Sequence, residues 1–394
     1  MKKFLLRFNW VSFLSMLALV ALGTVAIWSA GNARAEAVFH GMWKANLSTA
    51  VLGLAVYFVL ALTDYRKVLA VVSVPAYALA VLLLIVVLFA GAERFGGRRW
   101  LWFFQPSEVS KLCILSLLAA IFGGLRALLP WLSGFRGFLL AVALAGVPTG
   151  LILLEPDLGT ALTLAPAVLV MLFAARVWRA GLVTLVAVGA TAALAVLGAV
   201  GEAERPETSL ERREEILRWV PLKPHQVDRV KTFLYPEADP LGAGYNQRQA
   251  KISIGSGGFA GKGIGKGESN LLSYLPQAIS MNDFIFCVYA EETGYRGTLV
   301  LLTLFGLLLA STAWTAARTE EDIGRLLALG VAALLFAHVF INIAMSVGIV
   351  PITGLPLPFV SAGRTFLLVV MAGLGLVQSV ALHRPAPPEP KEEE

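Results

Sequence analysis

The chain has 394 residues, of which 57% are hydrophobic and only 15% charged, with a mean hydropathy of +0.75. Soluble domains carry about 25% charged residues, so this composition excludes an ordinary soluble enzyme and makes the lipid bilayer the solvent. The formal charge of +6 does not argue for nucleic acid, because most basic residues sit in short connections on one side of the apolar runs.

A spanning helix needs about 20 mostly apolar residues. Runs of that kind predict ten spans, at about 11–30, 46–63, 68–91, 107–123, 137–154, 158–175, 181–200, 284–316, 326–350 and 361–382. The first run is long enough to be an anchor rather than a cleaved signal. An even number of spans puts both termini on one side. Lys2, Lys3, Arg66, Lys67, Arg126, Arg136, Arg318 and Arg325 make that side cytoplasmic. The expected fold is a single all-α polytopic transmembrane domain over 1–394. Its last residues, 385–394 (PAPPEPKEEE), read as a disordered cytoplasmic tail. Cys113 and Cys287 lie in or beside apolar segments and read as packing residues, and the four histidines have no ligand spacing.

Residues 201–284 break the pattern. Connections in compact domains usually run about 4–6 residues, so a polar stretch this long between the seventh and eighth spans predicts a functional extracytoplasmic loop. Within it, Leu210–Val220 suits either a helix at the membrane interface with Trp219 at headgroup depth, or a solvated helix packed on the bundle. The run Gly255 to Gly267 is not a P-loop, because Gly263 follows Lys262 where Ser or Thr is required. It matches a loose dinucleotide fingerprint but lacks a strand–helix context. It reads instead as tight positive-φ turns, with amides and Lys262 or Lys266 open to an anion.

Ionisable residues in spans are costly, which makes each a functional candidate. Glu108 and Lys111 open the fourth span three residues apart, so an internal ion pair explains them equally well. Arg98, Arg99 and Trp100 precede them, and Trp100 alone would be ordinary interfacial anchoring. Asp157, between the fifth and sixth spans, and Asp283, at the end of the long loop, could each be helix caps. The outer face thus gathers Arg98, Arg99, Lys111, Asp157, Asp283 and Arg364. Glycoside hydrolysis usually takes two carboxylates, because the leaving alkoxide must be protonated. Transfer from a sugar diphosphate needs only a base for the acceptor hydroxyl, with cations or a divalent metal to hold the departing charge.

Several stretches then carry a resemblance. They are Arg99-Trp100, Gln105-Pro106-Ser107-Glu108 with Lys111, Glu155-Pro156-Asp157-Leu158-Gly159-Thr160, and the run from Phe233 to Tyr245. Ile254 to Gly263, Asp283-Phe284-Ile285-Phe286 with Ala290-Glu291-Glu292, and Gly354-Leu355-Pro356-Leu357-Pro358 continue the series. In this order, over nearly the whole chain, they resemble the SEDS (shape, elongation, division and sporulation) family. The wording is closer to its RodA branch than to FtsW.

The resemblance implies a peptidoglycan glycosyltransferase that polymerises lipid II outside the bacterial cytoplasmic membrane, alongside a class B penicillin-binding protein. It implies a catalytic role for Asp283, basic cavity positions at Arg99 and Lys111, and a cavity carboxylate at Glu108. Lys262 and Arg364 are added here as candidate diphosphate contacts. Mg²⁺ or Mn²⁺ at Asp283 is the expected cofactor, with no organic one. The chain departs from the family in two places. Six residues rather than four separate Pro276 from Asp283, with Gln277 where the family has Glu. Arg364 stands where the family has Gly, and could bind phosphate or pair with Glu291 or Asp157. A flippase for lipid-linked precursors and a silent scaffold for the transpeptidase are the alternative classes.

Overall fold

The computed structural model describes residues 6–32, 37–94, 97–102, 104–205, 207–238, 243–272 and 274–384, so the expected tail at 385–394 lies outside the described residues. Among these, nine helices are long and apolar enough to cross a membrane. In chain order α1 is Trp10–Asn32, α2 Met42–Leu62, α3 Tyr65–Ala90, α4 Pro106–Ala119 and α5 Phe135–Leu154. They are followed by α6 Leu158–Ala174, α7 Arg179–Ala203, then α8 Leu210–Arg218, α9 Pro224–Leu234 and α10 Ala243–Ser256 within the long loop. The chain closes with α11 Ile285–Ala317, α12 Asp322–Val347 and α13 Arg364–His383. The predicted sixth span is α6, whose 17 residues leave it just short of those nine, whereas α4 runs on through a π-helical turn to Leu125. All ten predicted runs are helical, so the polytopic all-α fold follows from the apolar runs alone.

Burial divides the helices. α12 and α13 bury most of their length at the centre of the bundle, whereas α7 buries only Gly181, Leu182, Val200 and Ala203. Lipid is as apolar as leucine, so close helix contact here depends on small residues that let backbones approach. Gly53 of α2 lies under Met371 of α13, and Gly375 of α13 lies against the Tyr57 backbone.

The eighth predicted span is not one straight helix. Gly294 interrupts α11 with φ 68 and ψ −165, dividing it into a buried entrance, Ile285 to Glu292, and a membrane-crossing remainder. The glycine-rich loop presses into this break, and a Cβ at Gly294 would sit 2.3 Å from the Gly261 nitrogen. Only glycine fits both the backbone angles and the space.

The long loop is folded. Val200, Val220, Val227 and Val230 form a small core that fastens α9 and the chain after α8 onto the end of α7. Ala250, Leu275, Phe284 and Cys287 form another, which anchors α10 beside the entrance to α11. α8 buries none of its residues, and the neighbouring Trp219 is also exposed. Between α3 and α4 a short antiparallel ribbon, β1 Ala92–Arg94 and β2 Gly97–Trp100, carries Arg99 back over the bundle.

Candidate active site

A cavity of about 390 Å³ opens where β2, α9, α10 and the loops after α5 and α12 meet the entrance to α11. Its polar wall includes Arg99, Glu108, Asp157, Arg229, Asn246 and Asp283, and its apolar wall includes Trp100, Phe284, Ile352, Leu355 and Phe366.

Asp283 is held by backbone and side-chain bonds from three directions. The Asn342 amide on α12 donates to the Asp283 carbonyl at 2.9 Å and to the Leu355 carbonyl at 2.7 Å. The Ser361 hydroxyl donates to the Asn282 carbonyl at 2.6 Å, and the Ala362 N–H donates to the Met281 carbonyl at 3.1 Å. The Phe284 N–H reaches back to the Ile279 carbonyl at 3.0 Å. The extra residues after Pro276 are taken up by a single helical turn, Gln277–Ser280, so the longer segment still delivers Asp283 to the cavity. The N-cap of α11 is Phe284, not Asp283, which removes helix capping as the explanation for this carboxylate.

One guanidinium group stands near it and a second lines the same cavity. Gly354 has φ 75, and the point where its Cβ would stand is 3.6 Å from Asp283 Oδ2 and 3.8 Å from Arg229 Nη2. A side chain there would fill the space between acid and base. Arg229 is fixed by a 3.1 Å bond from Nη1 to the Thr353 carbonyl. Arg99 donates through Nε to the Glu155 carbonyl at 3.2 Å and through Nη2 to the Pro156 carbonyl. A cation at the carbonyl end of α5 is also favoured by the helix dipole. Its Nη1 lies 3.9 Å from Asp157 Oδ1. Asp157 itself caps α6, accepting from the Thr160 N–H at 3.1 Å and the Thr160 hydroxyl at 2.9 Å, so its capping role and its place in the cavity wall coexist.

Burial pushes the Asp283 carboxyl up to about 6; Arg229 and then Arg99 oppose the rise, and Asp157 adds to it. An acid poised there is ionised at neutral pH yet basic enough to accept a proton, which suits a general base. Burial, followed by the like charge of Arg99, lowers Arg229 from its ordinary value, with Asp283 and Asp157 opposing.

The other predicted residues fall elsewhere. Glu108 lines the cavity but is paired with Lys111 at 2.8 Å, and Lys111 is fully buried behind it rather than facing the cavity. The intrahelical ion pair anticipated from the spacing is therefore present. Lys262 lies outside the cavity wall. Its ammonium is 2.8 Å from Glu291 and 3.2 Å from Glu268, so the anion bound by the glycine-rich loop is the protein's own carboxylate. Arg364 is exposed at the start of α13, between the cavity-lining Gly363 and Thr365. Among the described residues it forms no ion pair with Asp157 or Glu291, which face Arg99 and Lys262 instead.

Arg229 is the charged cavity residue that sequence reasoning missed, and Asn246 is a neutral one. The available signal was an arginine on an amphipathic segment, between Val227 and Val230, both of which are buried. Glu155 was quoted only as part of a motif, yet it is wholly buried and neither carboxyl oxygen has a hydrogen-bond partner.

A polytopic helical protein with a poised carboxylate and two arginines lining one cavity is thus defined by geometry. Residues 9–385 match the FtsW/RodA/SpoVE cell cycle protein family, and the chain belongs to it. It is 36% identical over 376 residues to the peptidoglycan glycosyltransferase MrdB of Escherichia coli K12, covering 94% of this chain and 92% of that one. It is 28% identical to the peptidoglycan glycosyltransferase RodA of Treponema pallidum, covering 95% of this chain and 97% of that protein. Among solved structures it is similar to a chain of a peptidoglycan synthase complex that coordinates polymerization and crosslinking. The TM-score is 0.70 with 31% identity, and coverage is 95% and 97%. The rod shape determining protein RodA of Thermus thermophilus gives a TM-score of 0.65 at 28% identity, covering 96% of this chain and 98% of that one.

Proposed function

We propose that this protein is a peptidoglycan glycosyltransferase of the elongation type, which polymerises lipid II in the cavity at Asp283. The observation that carries the reading is a poised carboxylate, Asp283, with Arg229 beside it and Arg99 lining the same cavity. Asp283 takes the proton from the acceptor's GlcNAc 4-hydroxyl as that oxygen attacks the anomeric carbon of the donor's MurNAc. The bond from that carbon to the diphosphate oxygen breaks, the anomeric configuration inverts, and undecaprenyl diphosphate leaves with the electron pair. Arg99 and Arg229 stabilise the negative charge that grows on the diphosphate, an effect worth most in a site that excludes water. Arg364 at the rim supplies a bidentate donor to the same anion before it enters.

The described residues contain no group of three or more His, Cys, Asp or Glu side chains that could hold a metal. The donor set therefore fits a divalent ion carried in by the diphosphate better than a resident one, since Mg²⁺ is commonly bound by one or two carboxylates together with substrate phosphates. The ion would sit on the diphosphate and add to the charge neutralisation that the arginines provide, leaving the Asp283 carboxylate free to take the acceptor's proton.

We place the protein in the bacterial cytoplasmic membrane with both termini cytoplasmic and the long loop outside. The basic short connections support that orientation. A class B penicillin-binding protein is the partner, supported by the likeness to the synthase complex. The test uses the purified chain, with that partner present, in liposomes containing lipid II. Glycan ladders are the expected product. Transbilayer movement of labelled lipid without ladders would favour a transporter, and neither activity would favour a scaffold.

A further inference from the structure

The sequence pairs Glu108 with Lys111; the structure adds a third member, His338 of α12. Lys111 and His338 are both fully buried. The Lys111 ammonium lies 2.8 Å from Glu108 Oε2, 2.9 Å from His338 Nε2 and 5.2 Å from the centroid of the Phe366 ring. An ammonium has three donors and no acceptor. The carboxylate and the aromatic face attract the charge, and of the three partners the imidazole Nε2 is the one that meets the ammonium in hydrogen-bonding geometry. His338 can take part only by offering the Nε2 lone pair, which makes it neutral with its proton on Nδ1. Phe366 packs on the imidazole with ring centroids 4.4 Å apart. Of these four side chains, Glu108 and Phe366 line the cavity, whereas Lys111 and His338 stand behind them.

Folding alone does not account for this chain of contacts. Replacing a buried ion pair with well-packed apolar residues is often neutral or stabilising, so such a pair is weak evidence for stability. Its value lies in direction. With Glu108 as its only strong partner, Lys111 could swing about the pair; a second acceptor on another helix removes that freedom.

We propose that His338 is a positioning residue for glycosyl transfer: by accepting a hydrogen bond from Lys111, it ties α4 to α12 and fixes the orientation in which Glu108 is presented to the substrate. This rests on the cavity being the site of lipid II polymerisation. Glu108 then acts as a fixed acceptor for a sugar hydroxyl or amide N–H, and its alignment matters most in the transition state. A hydrogen bond to a charged group is worth enough to change a rate by about 10- to 100-fold when lost.

The experiment compares kcat and KM for lipid II in the full-length protein, His338→Leu and His338→Gln, with thermal unfolding followed on the same samples. We expect His338→Leu to lower kcat at least tenfold with KM within twofold and Tm within a few degrees. His338→Gln, whose carbonyl oxygen can accept from the ammonium, should recover activity to within about threefold of the parent. Should His338→Leu not fold, His338→Asn, whose amide is too short to reach, is read in its place. ¹⁵N-histidine labelling adds an independent readout of the contact: the unprotonated Nε2 signal of His338 should shift in Lys111→Met. An active parent with an unimpaired His338→Leu, a glutamine variant no better than the leucine one, or an unmoved Nε2 signal overturns the inference. A parent that makes no glycan under any condition overturns the polymerase reading itself, and this inference with it.

Discussion

The charge on Arg229 should set the pH at which the enzyme switches on. Burial pushes Asp283 up to about 6, and Arg229 provides the largest opposing influence. With Asp283 as general base, the rate rises as pH climbs through about 6: roughly a tenth of maximum at pH 5, half at pH 6, and a plateau above about pH 7.5. The Asp283 and Arg229 side chains lie 3.6 and 3.8 Å from a common point beside Gly354. They are therefore at most about 7 Å apart and, with no ion pair within 4 Å, at least about 4 Å; an effective dielectric of about 20 to 40 then gives an interaction on the order of 1–4 kcal/mol, or roughly one to three pKa units. Arg229→Gln should therefore move the acid midpoint upward by about that much, in addition to any loss of maximal rate. Initial rates of lipid II polymerisation between pH 5 and 9 at constant ionic strength provide the assay. Arg212→Gln, which removes an exposed cation from α8, is the control and should leave the midpoint in place. No acid limb between pH 5 and 7 would show that Asp283 is not the base, and the same midpoint in Arg229→Gln as in the parent would show that Arg229 does not tune it.

Two further predictions concern stability. Glu155 is buried without a hydrogen-bond partner, and burial, followed by the charge of Asp157, pushes it up to about 8 against the pull of Arg99. Because its folded pKa lies above the ordinary carboxylate value, its ionisation destabilises the fold progressively from about pH 4.3 and fully only above pH 8. Glu155→Gln should relieve at most about 1 kcal/mol at pH 5 and about 4 kcal/mol at pH 8, read as a gain in Tm that grows with pH. An equal effect at both pH values would contradict the assignment. Gly294→Ala forces a Cβ toward the Gly261 nitrogen at a backbone conformation suited to glycine, and should cost on the order of 2–4 kcal/mol. Thermal unfolding in detergent measures it, and an unchanged Tm would show that the break in α11 is not fixed by this contact.

Much of the fold was legible because the bilayer demands long apolar runs, and each of the ten predicted runs is a helix. The Glu108–Lys111 pair was also legible, since three-residue spacing on a helix settles proximity. Arg229 was not, because a cation in a polar loop carries no period or span to mark it. Only the small valine core that docks α9 turns it inward. His338 escaped for the opposite reason: one polar residue in an apolar helix does not reveal which neighbouring helix holds its partner. Lys262 looked available for an anion in sequence, but the break at Gly294 brings Glu291 to it from a segment about thirty residues away.

The most direct test of the central claim is the polymerisation rate of Asp283→Asn, measured with lipid II on protein whose thermal unfolding matches the parent. Asparagine preserves shape and hydrogen-bonding capacity but cannot accept the acceptor hydroxyl's proton. A loss of at least about 100-fold at every pH is expected, with the acid limb abolished. Glycan ladders formed by the asparagine variant at within a few-fold of the parental rate would contradict it.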